Sequence, residues 1–206
     1  ILVLAIFACG ISFIWVQKGD LLFYINAHHQ PVLDAFFRYT TELGNGLFFV
    51  AVIILLLFIK IKYAAVGLLS FAVTGGLVQF LKRQVFTGFH RPTKFFPAHE
   101  FHLVEGVEVM QHFSFPSGHS ATVFALFTLL ALLVRQQWLG IPFFILAALG
   151  ALSRVYLVQH FYIDIYVGSI LGALITTTVF WLISGTHWFR EGFLANCSIL
   201  KLRRGN

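Results

Sequence analysis

Six runs of mostly apolar residues, at about 1–17, 44–61, 63–81, 119–134, 139–158 and 162–183, are separated by short polar punctuation. A helix needs about 20 such residues to cross the hydrocarbon core of a bilayer. Lipid offers no partner to a free backbone amide, so runs of this length predict transmembrane helices. Composition agrees, since 59% of the 206 residues are hydrophobic and only 11% are charged, a balance foreign to soluble globular domains. The expected fold is all-α: one polytopic membrane domain over 1–206, a bundle of six transmembrane helices. No internal repeat, soluble domain or low-complexity tract interrupts it.

Between the first two runs, the stretch "QKGDLLFYINAHHQPVLDAFFRYTTELGN" mixes apolar and charged residues at near-helical spacing and predicts an interfacial amphipathic segment. Its Asn26, Asp34 and Glu42 read as caps and solvated faces. Residues 1–16 lack a small-residue cleavage site and read as a span rather than a signal peptide. Cys9 and Cys197 are too few and too far apart for a disulfide framework or a metal knuckle. The net charge of +6 is explained by loops facing anionic lipid, so nucleic acid is not an expected partner.

With six spans and both ends in the cytoplasm, the basic residues divide seven to a side, so their number alone does not orient the chain. Four on the far side, Lys82, Arg91, Lys94 and Arg154, stand in the two regions that also hold histidines, where function competes with topology as the reason for a charge. The loop 82–118 and the segment 154–164 are separated by two helices and therefore emerge on one face.

These two regions bring together Lys82, Arg91, Ser117, Gly118, His119, Arg154, His160 and Asp164, all near helix ends. Ionisable groups at membrane depth are expensive, so such a cluster is a functional hypothesis by default. Ser117 is a natural N-cap for the fourth run, whose first amides lack intrahelical acceptors. Free donors and the positive end of the helix dipole attract an anion there, and Gly118 lets it approach the backbone. Lys82, Arg91 and Arg154 would neutralise a phosphate. His160 and Asp164 share a helical face, which suits a carboxylate that orients an attacking imidazole, while His119 is free to act as an acid. Singly, each residue has a plainer reading as a snorkelling cation, a helix start or an i,i+4 pair.

Taken together, "KRQVFTGFHRP", "PSGH" and "SRVYLVQHFYID" resemble the three signature motifs of the type 2 phosphatidic acid phosphatase superfamily, in its membrane, lipid-phosphatase branch. The second and third motifs match in full. The first departs, because eight residues separate Lys82 from Arg91 where six are usual; a longer loop with Lys82 retained is expected, with Arg83 as the alternative cation.

The resemblance implies phosphoryl transfer without metal or cofactor. His160 attacks phosphorus to form a phosphohistidine, Asp164 orients it and His119 protonates the leaving oxygen. Lys82, Arg91, Ser117, Gly118 and Arg154 hold the phosphate oxygens. It also implies a lipid phosphate substrate, among undecaprenyl diphosphate, phosphatidylglycerophosphate, phosphatidic acid and lipid A phosphates, taken from surrounding membrane lipids. The implied location is a bacterial inner membrane with the site facing outward. Alternatives are a lipid phosphotransferase and a silent lipid-phosphate binder or transporter, the latter disfavoured because His119, His160 and Asp164 are all present. Vanadate-dependent oxidation is disfavoured because nothing suggests a halide-accessible soluble site. The residues His99, Glu100, His102, Glu105, Glu108 and His112 match no metal-ligand spacing and predict a solvated loop. Gly168 and Gly172 predict close helix packing within the bundle.

Overall fold

The computed structural model describes residues 18–97, 99–134, 136–191 and 197–198; the expected span 1–17 and most of the chain after 191 lie outside the described residues. The described residues are mostly helical, with no strand among them. They comprise α1 (Asp20–Ala27), α2 (Pro31–Thr40) with a 3-10 turn at Thr41–Gly44, α3 (Gly46–Ile59), and α4 (Ile61–Phe80) with a π turn at Leu81–Val85. There follow α5 (Pro92–Phe95), α6 (Gly118–Leu133), a 3-10 turn at Gln137–Leu139 leading into α7 (Gly140–Tyr156), α8 (Tyr162–Ser184) and α9 (His187–Arg190).

Each break has a local cause. The Asn45 side chain accepts from the Leu47 amide at 3.0 Å and so starts α3. Lys60 is extended, at φ −153° and ψ 128°, and separates α3 from α4 with a single residue. Pro31 and Pro92 open α2 and α5, where a missing N–H costs nothing.

Three helical stretches, Ile61–Val85, Gln137–Tyr156 and Tyr162–Ser184, are long and apolar enough to cross a membrane. A fourth arises if Pro31–Gly44 and Gly46–Ile59, bent by 55° at Asn45, count as one broken span. The described residues thus support three to four spans where the sequence predicts five over the same stretch, the sixth, 1–17, lying outside them. The reason is length: α3 has 14 residues and α6 has 16. They rise about 21 and 24 Å, short of a hydrocarbon core of about 30 Å.

α6 is the core of the bundle. From Ser120 to Leu129 every residue but Thr122 is buried, as expected of a helix apolar all round. Val123, Phe124 and Phe127 pack with Ala147, Ala151 and Val155 of α7 and with Ile165 and Ala173 of α8. On its other side Ala125, Leu126 and Leu129 pack with Phe49, Ile53 and Leu56 of α3 and with Ala64 and Val66 of α4.

The expected glycine contact lies between α8 and α6. A Cβ at Gly168 would run into the Ser117 carbonyl, and one at Gly172 into the Ala121 carbonyl. This close approach lets the Ser117 amide donate to the Asp164 carbonyl at 2.9 Å, which ties the start of α6 to the start of α8. Two of the three sequence motifs are thereby locked side by side.

Candidate active site

His160 follows a tight reversal at the end of α7. The Arg154 carbonyl accepts from the amides of both Gln159 and His160, at 2.9 and 3.1 Å, while Val158 takes φ 56°. That conformation is unfavourable for a β-branched residue, and it turns Arg154 and His160 toward the same space.

Asp164, in the first turn of α8, has two tasks. Its Oδ2 accepts from the Phe161 amide at 3.0 Å, closing the helix start, and lies 3.4 Å from His160 Nδ1. The same oxygen accepts from Ser114 Oγ at 2.5 Å, and Ser114 Oγ is itself 3.4 Å from His160 Nδ1. Both His160 and Asp164 are 1% exposed. An Nδ1–H directed at Asp164 leaves Nε2 as the ring's free lone pair. Burial, and then the charges of Arg91, Lys82, Arg154 and His119, hold the His160 pKa well below the usual imidazole value. These surroundings favour the neutral ring, with its Nε2 lone pair available.

The cations come from three elements. Lys82 lies in the π turn, buried, where its side chain lines a cavity, whereas Arg83 is exposed and does not. The π turn closes through the Phe86 amide on the Leu81 carbonyl at 2.8 Å and takes up an extra residue, which absorbs part of the long Lys82–Arg91 separation. Arg91 donates from Nε to the His112 carbonyl at 3.0 Å and from Nη1 to Gln159 Oε1 at 2.9 Å. Gln159 Nε2 in turn donates to the Glu108 carbonyl at 3.0 Å. Arg154 donates from Nη1 to Thr41 Oγ1 at 2.8 Å, while its Nε is buried without a partner. An anion in the adjoining space would satisfy that donor.

Lys82, Arg91, Gly118, His119, Arg154 and His160 all line one cavity of about 360 Å³. Ser117 is not on its wall. It is fully buried, and its hydroxyl accepts from the Ser120 amide at 3.3 Å and from Ser120 Oγ at 3.0 Å, so it shapes the start of α6. Asp164 likewise stands behind His160. The rest of the wall includes Phe71, Gly75 and Val78 of α4 beside the polar Thr74 and Gln79, together with Gly44 and Gly46. A Cβ at Gly44 would come within 2.9 Å of the His119 carbonyl, so the small residue there sets the position of His119.

Several residues in this arrangement were not singled out by the motifs. Ser114 carries a signal only in hindsight, as a hydroxyl two residues before Pro116. Gln159 and Thr41 carry none, because their partners are 68 and 113 residues away. The segment expected to be interfacial thus supplies part of the site. Asn26 is buried, exchanging hydrogen bonds with the backbone of His102 at 2.8 and 3.0 Å. Asp34 accepts from Tyr156 at 2.5 Å and pairs with His102 at 3.0 Å. Nor is the loop 99–112 simply solvated, because Val104 packs with Tyr156 and Leu157.

The sequence model of the PAP2 superfamily matches residues 63–188, which takes in all the cavity residues named above except Gly44 and Gly46. No curated protein matches the chain. Among solved structures, the chain is similar to Aquifex aeolicus LpxE, at 25% identity and a TM-score of 0.72 over 81% of this chain and 96% of that one. It is also similar to a transmembrane PAP2-type phosphatidylglycerolphosphate phosphatase from Bacillus subtilis, at 27% identity and a TM-score of 0.63 over 79% of this chain and 82% of that one.

Proposed function

Because the chain belongs to the PAP2 superfamily, we propose that it is an integral membrane phosphatase that hydrolyses the phosphomonoester or diphosphate headgroup of a lipid. One observation carries the reading: two histidines, three cations and a helix N-terminus face a single cavity, with a carboxylate braced behind one of the histidines.

In the proposed reaction, the phosphate rests on the first amides of α6, with Lys82, Arg91 and Arg154 around its oxygens. Fixed donors of this kind stabilise charge as it develops on the transferring group, which is most of what phosphoryl transfer requires. His160 Nε2 attacks phosphorus as the bond to the lipid oxygen breaks, and the Nδ1–H is held by Asp164. His119, protonated once the phosphate's negative charge stands among these cations, gives its proton to the departing oxygen and then takes one from the water that attacks the phosphohistidine. Phosphate leaves and both histidines return to their starting states.

A site at the head of a membrane bundle keeps the lipid tail in the bilayer throughout. The wall of Phe71, Gly75 and Val78 offers the apolar part of such a substrate a surface beside the polar end. The Bacillus subtilis neighbour, a phosphatidylglycerolphosphate phosphatase, keeps phosphatidylglycerophosphate among the candidate substrates. The reading puts the site on the outward face of a bacterial inner membrane.

The test is phosphate release by the purified protein from a panel of phosphatidylglycerophosphate, phosphatidic acid, undecaprenyl diphosphate and lipid A, with EDTA present. Turnover of at least one lipid, unaffected by EDTA, is expected. Tight binding of a lipid phosphate with no turnover of any would replace this reading with that of a silent binder.

A further inference from the structure

Outside the catalytic cavity, His29, Asp34 and His102 bring a ring nitrogen, a carboxylate oxygen and a second ring nitrogen within 4.8 Å of one another. They come from three pieces of chain: the turn between α1 and α2, α2 itself, and the loop after α5. We propose that they form a zinc-class divalent metal site with three protein ligands and an open position.

Two of the three ligands are already oriented. His102 Nε2 stands 3.0 Å from Asp34 Oδ2. Donors of one tetrahedral zinc ion stand about 3.4 Å apart, given bonds of about 2.1 Å, so a small widening admits the ion in place of the shared proton. Asp34 Oδ1 is occupied by the Tyr156 hydroxyl, which leaves Oδ2 to face the histidines. The Asn26 side chain holds the backbone of His102 from both sides. Partners that aim a ligand in this way are the usual support of a metal centre. His29 lies flat on His102, with ring centroids 3.6 Å apart and planes 8° apart. In-plane lone pairs of stacked rings do not converge, so His29 must turn, and its exposure allows that.

Two nitrogens and one oxygen suit zinc and its neighbours rather than calcium or magnesium, which prefer oxygen shells. The loop that the ion would clamp to α2 also carries the Glu108 and His112 carbonyls, which hold Gln159 and Arg91. Metal, with water in its open position, would thus tie this loop to α2, apart from the chemistry at His160.

The experiment is calorimetric titration of ZnCl2 into the untagged, EDTA-stripped full chain in detergent, alongside His29→Ala, His102→Gln and a His90→Ala control. One Zn²⁺ per chain is expected, weakened at least tenfold in His29→Ala and in His102→Gln and unchanged in His90→Ala, with no heat from CaCl2. Absence of saturable Zn²⁺ binding, or binding that survives His29→Ala, overturns the proposal. His29 is exposed, so that variant is decisive even if His102→Gln does not fold.

Discussion

Ser114 Oγ donates to Asp164 Oδ2 at 2.5 Å, the same carboxylate oxygen that faces His160 Nδ1. The hydroxyl therefore fixes the group that orients the proposed nucleophile, although it does not line the cavity. A hydrogen bond to a charged group contributes about 1.5–3 kcal/mol. Ser114→Ala should lower kcat by about 10- to 100-fold and leave KM within about twofold, because the substrate is not touched. Steady-state kinetics on the preferred lipid phosphate checks this; a rise in KM at constant kcat would assign Ser114 to substrate binding instead.

Lys82 and Arg83 are adjacent in sequence but opposite in exposure. Loss of a single donor to a developing oxyanion typically lowers the rate by about 10²–10³. Lys82→Met should lower kcat/KM by at least about 100-fold, and Arg83→Ala should stay within about twofold of the parent. The reverse order would mean that Arg83 is the cation of the first motif.

Gly168 is where α8 meets the backbone of α6 at Ser117. Gly168→Ala must push the helices apart, and overpacking of this kind costs about 1–3 kcal/mol. A Tm lower by several degrees is expected, together with loss of activity at temperatures where the variant is still folded, since Ser117 leads directly into Gly118 and His119. A stable variant with full activity would show that the α6–α8 spacing does not set the site.

His160 should stay neutral at pH values where a free imidazole, with a pKa of about 6.5, is half protonated. The cause is burial first, then the surrounding cations. The unfolded chain then binds more protons than the folded one below about pH 6.5, so the contribution of this group to stability is full above that pH. It falls as the pH drops from there through the folded-state pKa. Nitrogen NMR of ¹⁵N-histidine-labelled protein in detergent should report neutral His160 at pH 6.5, and Arg91→Gln should raise its pKa. A His160 that titrates near 6.5 in both proteins would contradict the electrostatic account.

Helices and motif residues were largely legible in the sequence, and for different reasons. Apolar runs of bilayer length mark α4, α7 and α8 closely, because lipid leaves the backbone no other choice. Lys82, Arg91, His119, Arg154 and His160 reach one cavity, as the shared face of two loops separated by two spans implies. Two features were not legible. An apolar run does not distinguish a helix that faces lipid from one buried inside the bundle, so the central place of α6 was not legible. Polar residues of the stretch 17–45 read as solvated faces because their partners, Arg154, His102 and Tyr156, are far away in sequence. The same limit hid Gln159, whose neighbours Arg91 and Glu108 lie 68 and 51 residues away.

Trapping the covalent intermediate tests the proposed role of His160 directly. The protein would be mixed rapidly with a ³²P-labelled lipid phosphate, quenched in base, which preserves phosphohistidine, and the labelled peptide sequenced by mass spectrometry. Base-stable, acid-labile phosphate on His160 is expected, absent from His160→Ala along with turnover. Turnover that continues in His160→Ala, or label found on another residue, would contradict that role.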